Sequence, residues 1–415
     1  MTVRFPPGFL WGTATAAHQV EGSNLASDFW SLEHTPGTGF KEPSGDACDQ
    51  WHRYREDVAL LAALGFGAYR FSIEWARIEP EEGRFSVAVL DHYRRVLAAC
   101  HEHGLVPFVT YHHFTSPRWV TADGGMTDER TADRFARFCE RATAHLGDLI
   151  GVACTINEPN TPILVSHTLG LDGKGLEAFS GDGVAEAARR CGVARERFQP
   201  FLFADAARTR DVLLLAHRKG RDAIKAARRR DFPVGVTLSM QDDQAVPGGE
   251  ARRDRMRDEL YRGFLEAARE DDFVGVQTYT RKRWGKDGGL ANEDGVPTLV
   301  MGYEFWPEAL EATIRYAARE ARVPIHVTEN GIGTDDDAQR IEYVRRALVG
   351  VGRCLADGID VRSYFYWSLL DNFEWLFGYE PRFGLVDVDR KTQLRTPKPS
   401  AHWLGKIARA NALEA

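Results

Sequence analysis

Ile325-His326-Val327-Thr328-Glu329-Asn330-Gly331 is a short, mostly apolar run that closes on a carboxylate, an amide and a glycine. It is too short and too continuously apolar for an amphipathic helix, and residues 325–329 read as a strand buried on both faces. Beyond it, Ile341, Val344, Leu348, Val351 and Leu355 fall on one face of a helical repeat. Gly358 suits the position just past that helix. A second apolar run at residues 363–368 follows. Strand, helix and strand in this order make one unit of a parallel sheet.

The same rhythm runs outward through the chain. Further strands are read at residues 9–14, 68–74, 106–111, 152–157, 234–239 and 273–279. Between them Trp51, Tyr54, Val58 and Leu61 share a helical face, and helical periods cover residues 87–103, 128–146, 201–229, 250–268, 307–321 and 400–410. Gly65, Gly104 and Gly147 stand where helices would end. Eight strands, each followed by a helix, predict an α/β fold: a single (β/α)8 TIM barrel over residues 1–415. No G-x-G-x-x-G or Walker loop follows any strand, which argues against a doubly wound nucleotide-binding sheet. The Gly-rich segment 170–183 and the segment 281–302 read as long βα loops, not as domain boundaries.

Composition narrows the partners. The 415 residues are 43% hydrophobic and 27% charged, with a net charge of −7, which speaks against nucleic acid or an anionic membrane as partner. Arg228-Arg229-Arg230 is short and reads as a solvated helix end. The six cysteines form no C-x-x-C pair or Cys/His cluster, so no metal is expected and free thiols in a reducing compartment are. The first residues, Met1-Thr2-Val3-Arg4-Phe5-Pro6-Pro7, hold no apolar core of a signal segment, and a cytoplasmic protein without membrane spans is expected. Nothing in the sequence sets an oligomeric state.

In a barrel of this kind chemistry belongs at the carboxyl ends of the strands. Read in order, those ends give Gln19 after the first strand and Tyr111-His112-His113 after the third. The fourth gives Thr155-Ile156-Asn157-Glu158-Pro159, the sixth Gln277-Thr278-Tyr279, and the seventh Thr328-Glu329-Asn330-Gly331. The eighth leads through Trp367 to Asp371-Asn372-Phe373-Glu374-Trp375. The set is polar, aromatic and doubly acidic. It suits a sugar, whose hydroxyls want amide and carboxylate partners and whose C–H faces want an aromatic platform. No strand-end lysine offers a Schiff base, and no cofactor is called for. Glycoside hydrolysis needs two carboxyl groups, one protonated and one ionised, and Glu158 and Glu329 stand across an eight-stranded barrel from one another. Spacing alone leaves retention and inversion both open.

These segments resemble the family 1 glycoside hydrolases, the β-glucosidase-like group, along nearly the whole chain. The residues that carry the likeness are 9–22, Phe71-Ser72-Ile73-Glu74-Trp75, the N-E-P and T-E-N-G segments, and the run from Tyr366 to Trp375. The resemblance implies a retaining double displacement, with Glu158 as acid/base and Glu329 as nucleophile. It implies that Asn157 bonds the sugar 2-hydroxyl and that Tyr279, with Arg70, tunes Glu329. Gln19, His112 and Glu374 would bind other hydroxyls, Trp367 would be the stacking floor, and Trp375 would meet the outer hydroxyls. The implied substrate is a small β-glycoside or oligosaccharide, with glucose, galactose or fucose as the sugar.

Two positions depart from the family pattern. His113 stands where the family has Trp, and Gln277-Thr278-Tyr279 stands where it has Asn-Tyr-Tyr. Glu374 and Trp375 are kept where phospho-glycosidases differ, so a neutral sugar is expected. Trp284 is read as a lining residue of the aglycone side, and Trp30, Trp51, Trp119, Trp306 and Trp403 as packing. Transfer to an acceptor other than water, and a sugar-binding barrel without activity, are the alternatives; the presence of both carboxylates weighs against the second.

Overall fold

The computed structural model describes residues 2–168 and 182–414. Eight parallel strands close into a barrel: β1 Leu10–Ala14, β2 Ala68–Ser72, β3 Val106–His112, β4 Val152–Asn157, β5 Val234–Ser239, β6 Phe273–Gln277, β7 Ile325–Asn330 and β8 Val361–Trp367. Strands adjacent in sequence are adjacent in the barrel, and β8 closes on β1 through pairs such as Tyr364 with Trp11 and Trp367 with Ala14. The fold is the expected TIM barrel.

The interior is packed, not hollow. Phe108, Phe273 and Phe365 meet His326 in a floor whose ring centroids lie 4.7–5.7 Å apart. Gly12 is required beneath it, because a Cβ there would lie 2.5 Å from the Phe365 ring. With the floor filled, a ligand can enter only at the carboxyl ends of the strands.

Several boundaries differ from the reading of the sequence, each for a local reason. β2 stops at Ser72, two residues short of the expected end, because Glu74 turns to cap the helix Trp75–Ile78 and accepts from the Ala76 amide at 3.1 Å. The helix expected from residue 201 spans Ala206–Ala227, since the Asp205 carboxylate accepts from the Ala207 amide and starts it there. The segment 281–302 is not all loop: Arg281–Trp284 pairs in parallel with Asp242–Ala245, a short sheet outside the barrel. Of the segment 170–183, residues 170–181 lie outside the described residues, and Gly183–Arg190 is a helix. Five of the six cysteines are buried, and all six are free. Among the described residues no helix is long and apolar enough to cross a membrane.

Candidate active site

The two glutamates owe their aim to breaks in strand alternation. Along β4, Val152 and Cys154 face the barrel interior, while Thr155 bonds His217 on the helix Ala206–Ala227. Ile156 then joins the outer core instead of returning inward, and the pairing with β5 shifts register between Cys154 and Asn157. Asn157 therefore turns into the mouth of the barrel, and Glu158 after it adopts a left-handed backbone with φ of 46°. β7 has a register shift of its own between Val327 and Glu329. Irregularities of this kind re-aim side chains next to active sites.

Glu329 is held as an anion. Arg70 Nη1 donates to its Oε1 at 2.6 Å, and the Tyr279 hydroxyl donates to its Oε2 at 2.5 Å. Arg70 is fully buried and spends its second arm on Asn157 Oδ1 at 2.5 Å, so one guanidinium fixes both residues. Burial pushes the Glu329 carboxyl up, and Arg70 and Tyr279 oppose that rise. Burial and the neighbouring Glu329 charge push the Tyr279 phenol far above its ordinary value, so it remains a donor.

Glu158 is held as an acid. Among the described residues no cation touches it; its oxygens accept from Gln277 Nε2 at 2.8 Å and Thr161 Oγ1 at 2.9 Å. Burial, and then repulsion by Glu329, raise its pKa to about 8. The pair is thus split, one carboxyl ionised against a guanidinium and the other keeping its proton at neutral pH.

A cavity of about 520 Å3 opens over this pair and is lined by Glu158, Glu329, Asn157, Tyr279, Trp367, Glu374 and Trp375 among others. The Glu374 carboxyl is raised to about 8, first by burial and then by Glu329. Gln19 stands behind it, off the cavity wall: its Nε2 donates to the Phe373 carbonyl at 2.7 Å, with Glu374 Oε2 at 3.4 Å. Its buried Oε1 has no hydrogen-bond partner among the described residues. Trp375 stacks on His18, with centroids 5.9 Å apart and planes 9° from parallel.

The two strand-three histidines are placed differently. His112 packs against Trp75, Phe135 and Phe201 with Nε2 3.0 Å from Ser116 Oγ, while its buried Nδ1 has no hydrogen-bond partner among the described residues. His113 lines the cavity, stacked between Trp367 and Trp375, and accepts from Asn157 Nδ2 at 3.2 Å. The cause is the same as in β4: Tyr111 bonds Thr143 on the helix side, His112 stays on that side, and alternation resumes only at His113. Burial holds both imidazoles well below their ordinary pKa, and hence neutral. Trp284 is likewise not a lining residue; it is buried and donates to Asp243 Oδ1 at 2.7 Å. The outer wall is built from residues to which sequence gave no signal, among them Val165, Leu202, Met240, Tyr303, Leu376 and Phe377. Apart from the adjacent Leu376 and Phe377 they come from separate stretches of chain, Val165 from the helix Thr161–Thr168 and Leu202 from the short turn Phe201–Phe203, and carry no motif.

Two carboxyl groups of opposed protonation, set in an aromatic pit at the mouth of a parallel barrel, define a glycoside hydrolase. The glycosyl hydrolase family 1 model matches residues 1–267 and 264–413. Beta-glucosidase A of Thermotoga maritima is 32% identical over 99% of this chain and 99% of its own. The bifunctional beta-D-glucosidase/beta-D-fucosidase of Bifidobacterium breve is 32% identical, covering 97% and 98% of the two chains. Among solved structures, beta-glycosidase BGL167 superposes with a TM-score of 0.94 at 57% identity, over 99% of this chain and 98% of that one. The chain belongs to glycosyl hydrolase family 1 and is an enzyme of its β-glucosidase/β-glycosidase group.

Proposed function

We propose that this enzyme is a retaining β-glycosidase acting on neutral β-glucosides, with related β-sugars such as fucosides as further substrates. The observation that carries the reading is the unequal treatment of the two glutamates: Arg70 and Tyr279 on Glu329, and among the described residues no cation on Glu158. Glu329 attacks the anomeric carbon while Glu158 gives its proton to the departing oxygen. Asn157, clamped by Arg70, offers its amide toward the 2-hydroxyl, a contact that strengthens in the transition state. Once Glu329 is esterified its charge is gone, the Glu158 pKa falls, and Glu158 takes a proton from the water that releases the sugar.

Trp367 is the sugar platform, and Glu374, Gln19, His113 and Trp375 read the hydroxyls. The unpartnered Gln19 Oε1 beside Glu374 favours this assignment. No Lys or Arg lines the cavity among the described residues, which favours a neutral sugar over a phosphorylated one. The apolar outer wall favours an aryl or alkyl aglycone over a second sugar. A structure of the Thermotoga maritima beta-glucosidase in complex with glucoimidazole, 29% identical with a TM-score of 0.84, favours the gluco configuration. Buried free thiols fit a cytoplasmic setting.

The test is a panel of nitrophenyl β-glycosides, including the 6-phospho-glucoside, with Glu329→Gln alongside. Release from the neutral glucoside that falls about a thousandfold or more in the variant is the expected result. Folded protein that releases nothing from any sugar would overturn the reading. A shortfall of free sugar against nitrophenol would mark transfer in place of hydrolysis.

A further inference from the structure

We propose that Gln277 is a positioning residue for the acid/base, its amide deciding which oxygen of Glu158 carries the transferable proton; this rests on Glu158 serving as acid/base. Gln277 ends β6 and stands in register with Glu329 on β7, so its backbone belongs to the nucleophile's side of the site. Its side chain reaches both carboxyls: Nε2 donates to Glu158 Oε1 at 2.8 Å, and the same amide also helps to hold Glu329 ionised.

The amide is fixed in that sense. Its Oε1 accepts from the Thr328 hydroxyl at 3.1 Å, so the N–H end always faces Glu158. An amide nitrogen only donates, and the neutral carboxyl meets it best with its carbonyl oxygen. The proton is therefore directed to Oε2, beside the Thr161 hydroxyl at 2.9 Å, which rotates to accept as readily as to donate. When the proton leaves for the glycosidic oxygen, the same N–H stabilises the carboxylate left behind. This occurs at a strand end where the family resemblance leads one to expect the shorter Asn.

The other groups around Glu158 do not duplicate this contact. Glu329 on β7 and Glu374 beyond β8 repel its charge, and Tyr279 beyond β6 gives its hydroxyl to Glu329. Arg70 on β2 is committed to Glu329 and Asn157, and His113 beyond β3 to Asn157. Thr161, Gln277 and Ser239 are the donors that favour the ionised form, and Gln277 is the amide among two hydroxyls.

The experiment compares pH profiles of kcat/KM for wild type, Gln277→Leu, Thr328→Val and Glu158→Gln, each on a dinitrophenyl and an alkyl β-glucoside. The basic limb should move up by about one pH unit in Gln277→Leu and by less, in the same direction, in Thr328→Val. Loss of rate should be about tenfold or more on the alkyl glucoside and small on the dinitrophenyl one, which needs no acid. A basic limb that stays in place in both variants overturns the proposal, and Thr328→Val decides alone if Gln277→Leu does not fold. Glu158→Gln separates the two layers: loss of its basic limb leaves the acid/base reading standing whatever Gln277 does, and retention of that limb overturns both.

Discussion

Replacing Arg70 by methionine should close the pH window in which the enzyme works. The guanidinium is fully buried and donates to Glu329 at 2.6 Å. Charge centres in such a contact lie roughly 4 Å apart, and at an effective dielectric of about 20 their attraction is about 4 kcal/mol, or about three pH units on the carboxyl. Burial already pushes Glu329 upward, with Arg70 the strongest opposing influence. Without it Glu329 keeps its proton to higher pH and the two carboxyls titrate closer together, so few molecules hold one ionised and one protonated carboxyl. The acid limb of kcat/KM should move up by about two to three units, and kcat/KM at mildly acidic pH should fall by about a hundredfold or more. A thermal melt at the acidic end of the profile, where the variant's activity is most reduced, separates this from unfolding. An acid limb that stays within about half a unit of wild type would refute the reasoning.

Three further outcomes follow from the same geometry. Glu158 has a folded-state pKa raised to about 8 from 4.5, so its contribution is intact below pH 4.5 and lost as pH rises through 8. Glu158→Gln should leave the melting temperature near wild type at pH 5 and raise it at pH 9, with a gain in unfolding free energy on the order of 5 kcal/mol, as read by calorimetry; a lower melting temperature at pH 9 would contradict this. His113→Ala should cut kcat/KM by about tenfold or more with little change in melting, whereas His112→Ala should lower the melting temperature and spare KM; the reverse pattern would return the sugar contact to His112. An octyl β-glucoside should exceed cellobiose in kcat/KM by about tenfold or more, because each buried methylene contributes about 0.8 kcal/mol against the wall of Val165, Leu202 and Met240; equal values would count against the apolar aglycone site.

The barrel was legible because parallel strands buried on both faces leave unbroken apolar runs, and β4 and β5 fall on the expected residues. Glu158 and Glu329, which the structure brings together at the cavity, could be read from their motifs as the proposed acid and nucleophile. His113 could not, because its aim depends on two successive residues of β3 facing the helices, a break in alternation that pattern reading does not register. Nor could the short sheet of Asp242–Ala245 with Arg281–Trp284, which joins segments far apart in the chain through backbone bonds. The Gln277–Glu158 bond also escaped, since residue types at strand ends do not reveal which amide faces which carboxyl.

The central claim is that Glu329 forms a covalent bond to the sugar. A glucoside with fluorine in place of the 2-hydroxyl and a dinitrophenolate leaving group slows both steps but lets the first proceed, and mass spectrometry of intact and digested protein then locates any adduct. One sugar per chain on the peptide that contains Glu329, absent in Glu329→Gln, is the predicted result. Turnover of an ordinary β-glucoside with no trapped adduct, or an adduct on a different residue, would contradict the account.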